Sequence, residues 1–275
     1  MSMSNQDLIV HSTVRIEAVS QDGSRWSGTG FYMHLLQGLH KDGYATPVII
    51  TNKHVVDSVQ SIYINMTFAK EDDSPDYQTH QQYCIENVQS LCAFHPDPNV
   101  DLAAISIGGW LNRFIDKPGP KLFYCPLTVD MIPDEEERKH LSSIEDILMI
   151  GYPDSTWDHI NNLPVVRKGI TATHPYLPWK GKSEFLTDIA SFSGSSGSPV
   201  FLYNSMGYLD KSTNSYIMGS RLKLLGIHHS GALHNASLGL SNPNDFIQIP
   251  NNIGIAVNSK EILTLQEEVR RMISA

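Results

Sequence analysis

The chain has 275 residues, 41% of them hydrophobic and 18% charged, with a formal net charge of −9. That length can bury a large core, as one big domain or two packed ones, and no apolar run approaches the roughly 20 residues that span a bilayer. The acidic balance argues against a nucleic-acid groove, which needs clustered Lys and Arg, and is read as an aid to solubility. Residues 1–7 have neither a basic nor an apolar leader region, so the expected location is cytoplasmic and no membrane partner is expected. Cys84, Cys92 and Cys125 show no CxxC spacing and cannot build a disulfide framework, which fits a reducing compartment.

In chain order, the first half reads as short strands at residues 13–19, 28–33, 47–51, 61–68 and 102–107, rich in Val, Ile, Thr, Phe and Tyr. Gln21-Asp22-Gly23-Ser24 is a hairpin turn. Residues 69–80 are acidic and polar and read as a solvated loop. A calcium loop through Glu71, Asp72, Asp73 and Asp76 is the weaker alternative, because the spacing is irregular. Residues 112–145 look like a crossing segment, with four prolines and then a charged run at 134–139 suited to a short surface helix. Strands resume at 146–150, 165–172, 184–187, 199–202, 222–229 and 254–257. Two groups of about six strands without long intervening helices suggest paired antiparallel β-barrels. The expected units are a barrel at 9–115, a linker at 116–145, a second barrel at 146–258 and a helix at 259–275. In that helix Asn258 and Glu261 resemble a capping box, and Ile262, Leu265, Val269 and Met272 recur at helical spacing.

The richest stretch is Gly194-Ser195-Ser196-Gly197-Ser198-Pro199, a serine on a tight, glycine-flanked turn. A serine hydroxyl is a poor nucleophile unless a base lies in hydrogen-bond reach. Imidazole suits that task, since it accepts the proton and later returns it to a leaving amine. A carboxylate then fixes the imidazole tautomer. His54, closing an apolar run, and Asp101, opening another, are the candidates, in the order His54, Asp101, Ser196. The Gly194 and Ser196 N–H groups are the candidate oxyanion donors. Each piece alone is weak, and the conjunction is specific.

With these motifs the chain resembles the trypsin-like serine peptidases over nearly its whole length. Ser27-Gly28-Thr29-Gly30-Phe31, residues 49–55, Asp101-Leu102-Ala103, Ile150-Gly151-Tyr152-Pro153 with Lys168-Gly169-Ile170, residues 194–199 and residues 225–229 carry the resemblance. The early strand resembles HtrA-type and bacterial members most. The resemblance implies a chymotrypsin-like all-β fold of two six-stranded barrels with a C-terminal α-helix, a serine endopeptidase, and a cleft between the barrels. Three departures stand out. The family's secreted zymogens carry an acid just before the nucleophile, which pairs with a newly cut N-terminus, and here that position is Ser195. The family's disulfides are missing. No PDZ-like segment follows the second barrel, so HtrA-style assembly is not expected.

By the same resemblance the specificity pocket is floored near Ala190 and Ser191, with no carboxylate to pair with a basic side chain. His228 looks like the pocket histidine of glutamyl endopeptidases and viral 3C-type peptidases, and with Ser191 it suits Glu or Gln at P1. The competing reading makes His228 a satisfied core histidine. His229 and Ser230 are expected on the edge where a peptide adds as a strand. His228, His229 and His234 do not read as a metal site, and neither a metal nor a cofactor is expected. The expected partners are a protein or peptide substrate and a regulatory protein, since activity needs restraint. The loops at 203–221 and 232–253 are candidates for such control. Two rivals stay in view: a catalytically silent or activator-dependent binding module on the same fold, and an α/β-hydrolase using Ser196, Asp210 and His228. The second lacks the Gly-x-Ser-x-Gly turn, because Ser198 takes its last position.

Overall fold

Alternating apolar and polar residues build the N-terminal half around β1 (Thr13–Ser20) and β2 (Arg25–Leu35), joined by the turn at 21–24. The structure is a computed structural model that describes residues 4–38, 45–114, 119–210, 213–237 and 246–274. There follow β3 (Thr46–Thr51), β4 (Val59–Ala69), β5 (Pro75–Glu86), β6 (Cys92–Phe94), β7 (Ala103–Ser106) and β8 (Leu127–Thr128). These eight strands form one sheet in the order β5-β4-β1-β2-β3-β7-β6, with β8 running parallel to β2. The C-terminal half holds β9 (Asp146–Gly151), β10 (Val165–Thr171), β11 (Glu184–Asp188), β12 (Pro199–Asn204), β13 (Gly207–Asp210), β14 (Ser215–Met218), β15 (Arg221–Ser237) and β16 (Phe246–Asn258). Six of them close a barrel, β10-β11-β16-β15-β12-β9, while β13 and β14 pair with each other. The fold is therefore all-β in two units with a C-terminal helix at Glu261–Ser274. The N-terminal unit is an eight-stranded sheet whose end strands, β5 and β6, do not pair with each other.

Four local expectations change. Residues 75–80 are not loop but the start of β5, an edge strand whose side chains are mostly outside the core. An edge strand with solvated faces has no apolar alternation to betray it. Asp72 instead accepts the Ser74 N–H in a tight turn (3.1 Å), and Asp73 pairs with Lys121 (2.6 Å). The 116–145 segment is more than a linker, since β8 adds to the N-terminal sheet and Leu122 bridges to Phe68. The loops at 203–221 and 232–253 carry the β13–β14 hairpin and a long β15–β16 ribbon, with residues 211–212 and 238–245 outside the described residues. Asn258 does not cap the helix. It ends β16, its amide donates to the Pro175 carbonyl (2.8 Å), and its Oδ1 accepts the Lys260 N–H (3.1 Å). The charged run does form a short helix, Glu135–Lys139, with a capping box between Asp134 and Glu137.

Three clusters make the core. One lies within the N-terminal unit around Ile16, Ile49, Val56 and Ile62. Another lies inside the barrel around Ile147, Met149, Phe185 and Val200. The third spans both units: Phe31, Leu35 and Ile50 meet Ile150, Phe201 and Ile227, and the helix residues Ile262, Leu265 and Val269 seal it. Fully burying each such side chain contributes about 1.5–3 kcal/mol, which fixes the two units against each other. Among the described residues no helix is long and apolar enough to cross a membrane.

Candidate active site

His54 lies in a single turn of helix, Lys53–Val56, that follows β3. The turn is pinned from below by buried Val55 and Val56 and from β2 by Trp26, whose indole N–H donates to the Val55 carbonyl (2.9 Å). Asp101 sits in the loop leading into β7, where Asn52 donates to its carbonyl oxygen (2.8 Å). Asp101 then grips His54 at two points. Its Oδ1 accepts the His54 backbone N–H (3.0 Å), and its Oδ2 lies 2.5 Å from His54 Nδ1. Burial pushes the Asp101 carboxyl up, but the hydrogen bonds and charge of His54, aided by His229, outweigh it and hold the carboxyl below its ordinary value. The His54 ring is half exposed, leaving Nε2 as the nitrogen not engaged by Asp101.

Ser196 comes from the barrel, on the turn before β12. Gly194 and Gly197 have φ of 81° and 88°, in the region that side chains resist. At Gly197 a Cβ would lie 1.8 Å from the Thr29 carbonyl oxygen, so the turn packs directly on β2. Thr29 is the anchor: its N–H donates to the Ser196 carbonyl (2.8 Å) and its hydroxyl to the Gly194 carbonyl (2.8 Å). Its own carbonyl accepts from Thr51, two residues before the His54 helix (2.7 Å). One strand, β2, thus carries both the Ser196 turn and the support of the His54 turn. The Ser196 hydroxyl donates to the His229 carbonyl (3.3 Å) rather than to His54. The Gly194 and Ser196 N–H groups have no acceptor among the described residues, whereas the Ser195 N–H is taken by the Phe192 carbonyl (3.0 Å).

Beside Ser196 opens a pocket of about 350 Å³, lined by Ser191, His228, Ser230, Asn252 and Ile253 among others. Ser191 Oγ and His228 Nε2 are 2.7 Å apart at its base. Burial, then the nearby charges of His229, Arg167 and His54, push the His228 pKa down to about 3, so this imidazole is neutral near pH 7. Ala190 and His229 are not among the residues lining this pocket: the Ala190 carbonyl accepts from Arg167 (2.6 Å), and the ring of His229, expected on the strand edge, lies 3.5 Å from Glu184. Burial lowers the His229 pKa against the opposing pull of Glu184 and Asp101. Among the described residues no three His, Cys, Asp or Glu side chains converge on a metal position.

Sequence reading missed Thr29, Asn252 and Arg167. Thr29 was read only as part of a strand, and Asn252 only as part of a loop. Arg167 carries no sequence signal, since the exposed neighbours that mark it as inward include the apolar Val166 and Ile170.

A family model described as "Trypsin-like peptidase domain" matches residues 28–208. No curated protein matches. Among solved structures, "HtrA-type protease AlgW with tripeptide" is similar with a TM-score of 0.51 and 16% identity, over 97% of this chain and 64% of that one. "HtrA-type protease AlgW with decapeptide" gives a TM-score of 0.50 and 15% identity, over 98% and 68%. The serine endoprotease from Yersinia pestis gives 0.49 and 18%, over 98% and 68%. At such identities the likeness to AlgW is one of fold, and this chain spans about two thirds of the length of those proteins.

Proposed function

The chain belongs to the trypsin-like peptidase family, and from that premise we propose that it is a serine endopeptidase acting through Ser196, His54 and Asp101. The observation that carries the reading is the two-point grip of Asp101 on His54, which holds Nδ1 toward the carboxylate and leaves Nε2 for a serine. In the reaction Ser196 Oγ attacks the substrate carbonyl carbon while its proton passes to His54 Nε2. The tetrahedral oxyanion takes the Gly194 and Ser196 N–H groups, which have no acceptor among the described residues. Collapse expels the amine, which leaves with the proton from His54. Water, deprotonated by the same imidazole, then hydrolyses the acyl-enzyme. The present bond from Ser196 to the His229 carbonyl gives way to His54 as substrate fills the cleft, since such bonds tighten only in the complex.

At P1 we propose Glu or Gln. Support comes from the Ser191–His228 pair in the pocket, two groups able to hydrogen-bond a carboxylate or amide oxygen, although Asp154 also lines this pocket. A substrate peptide would lie along β15 beyond Ile227, where β12 no longer covers the strand. The Ser196–His229 bond also favours a second reading, a resting protein that awaits an activating partner. A cytoplasmic setting is part of the proposal and is supported by three free thiols.

Fluorophosphonate labelling tests the chemistry. Label on Ser196 of the native protein, lost in Ser196→Ala and reduced about 10⁴-fold or more in a folded His54→Ala, is the expected result. No label on folded native protein would favour the silent or activator-dependent reading. Cleavage of a peptide library mainly after Leu, Phe or Arg would sink the P1 assignment alone.

A further inference from the structure

Arg167 is the residue that this chemistry leaves unexplained. It projects inward from β10, opposite Met149 on β9, in a strand whose alternate residues Val166, Lys168 and Ile170 are exposed. Burial lowers its pKa to about 10, so the guanidinium is still a cation at neutral pH. No carboxylate of the described residues pairs with it, and its Nε and Nη2 atoms are shut away from solvent without a hydrogen bond. A buried cation is costly unless its hydrogen bonds are good. The bonds it does make converge on one place. Nη1 donates to the Ala190 carbonyl (2.6 Å) and to Ser195 Oγ (3.1 Å).

Those two acceptors are the two ends of the turn that precedes Ser196. Between them the chain doubles back, with the Ser195 N–H on the Phe192 carbonyl (3.0 Å) and the Phe192 N–H reaching Ser195 Oγ (3.4 Å). The Ser193 carbonyl is held outward by the Asp154 N–H (2.5 Å). In this arrangement the N–H of Ser195 is spent inside the turn, while those of Gly194 and Ser196 stay available. Charge-assisted hydrogen bonds are roughly twice as strong as neutral ones. A single cationic nitrogen thus bridges residues 190 and 195 across the turn, beside the bonds from Thr29 that hold residues 194 and 196.

We propose that Arg167 is the positioning residue of the oxyanion loop: a cation supplied from within the barrel clamps Ala190 and Ser195 and so presents the Gly194 and Ser196 N–H groups. The inference rests on the peptidase reading for its consequence, but not for its geometry. It also gives Ser195 a reason. With the cation built into β10 and fixed by strand pairing, the loop is ordered without an acid at position 195 and without a freed N-terminus. Only an acceptor is needed there, and a hydroxyl serves.

The test uses Arg167→Met, Arg167→Lys and Ser195→Ala in the full chain, read in two independent ways. Hydrogen exchange of the amides at 190–198 is measured first, in an Ser196→Ala background so that activity plays no part. Arg167→Met is expected to speed exchange there at least 10-fold while β1 and β2 are unchanged. Ser195→Ala is expected to do so more weakly, and Arg167→Lys to restore most of the protection. Steady-state peptide cleavage is measured second. Arg167→Met is expected to lower kcat about 10²-fold or more, the scale of a lost oxyanion donor, with KM within about threefold. Unchanged exchange at 190–198 in folded Arg167→Met would overturn the proposal, as would a loss confined to KM. Should Arg167→Met fail to fold, Ser195→Ala and Arg167→Lys decide by the same readouts. If the native protein cleaves nothing, the reading as a peptidase active on its own falls while the exchange measurement still decides the role of Arg167.

Discussion

At the scale of single residues, the site depends on which atoms of each side chain are already spent. Asp101 uses both oxygens on His54, one on the backbone and one on the ring, so its substitution disturbs tautomer and position together. Asp101→Asn is expected to keep the fold and lower kcat about 10⁴-fold, measured by peptide cleavage beside a thermal melt. His228 sets a pH dependence of stability. Its pKa in the folded protein, about 3, lies below the ordinary value of 6.5, so between these values the unfolded chain binds a proton that the native chain refuses. Stability is therefore full above about 6.5 and falls as pH drops toward 3, by up to about 1.36 kcal/mol per unit. Denaturant midpoints between pH 7 and pH 4 should show this fall, with a flatter slope in His228→Gln. An unchanged slope in that variant would assign the acid sensitivity to other buried histidines. The triad candidates, Gly194, Ser191 and His228 were legible as residue types in motifs. Arg167 was not, because its partners lie 23 and 28 residues away and no local pattern links them.

At the scale of elements, strands with one buried face were readable and strands without one were not. β1, β3 and β4 follow the expected spans because their apolar residues face a core. β5 and the β13–β14 hairpin escaped detection because they lie at the margin, with most side chains exposed or partly so. The C-terminal helix was legible from its stripe, yet its start was misread. Glu261 does not complete a cap with Asn258. It lies 3.2 Å from His95, just ahead of the Asp101 loop. The helix therefore braces the loop of a candidate catalytic residue as well as the core. Leu265 is completely buried in the core shared by both units. Leu265→Ala should cost about 2–5 kcal/mol of stability, read as a lower denaturant midpoint at unchanged m-value.

At the scale of the whole molecule, a core shared between the two units makes them unfold together. Phe31, Ile150, Phe201 and Leu265 belong to one cluster, so opening either unit exposes the other. Denaturant transitions followed by tryptophan fluorescence and by far-UV circular dichroism are expected to coincide. Separated transitions would mean that the shared core contributes less than the two internal ones. The cleft has the same origin, since His54 and Asp101 come from one unit and Ser196 from the other, with β2 touching both turns. By itself the sequence determined the fold class, the family and the candidate triad, because strand periodicity, glycine-flanked turns and motif order are local properties of the chain. The tertiary structure alone decided that Asp101 grips His54, that Ser191 meets His228, and that a buried arginine clamps the loop before Ser196. Those contacts join residues far apart in the chain, and their geometry exists only once the barrel has closed and the shared core has set one unit against the other.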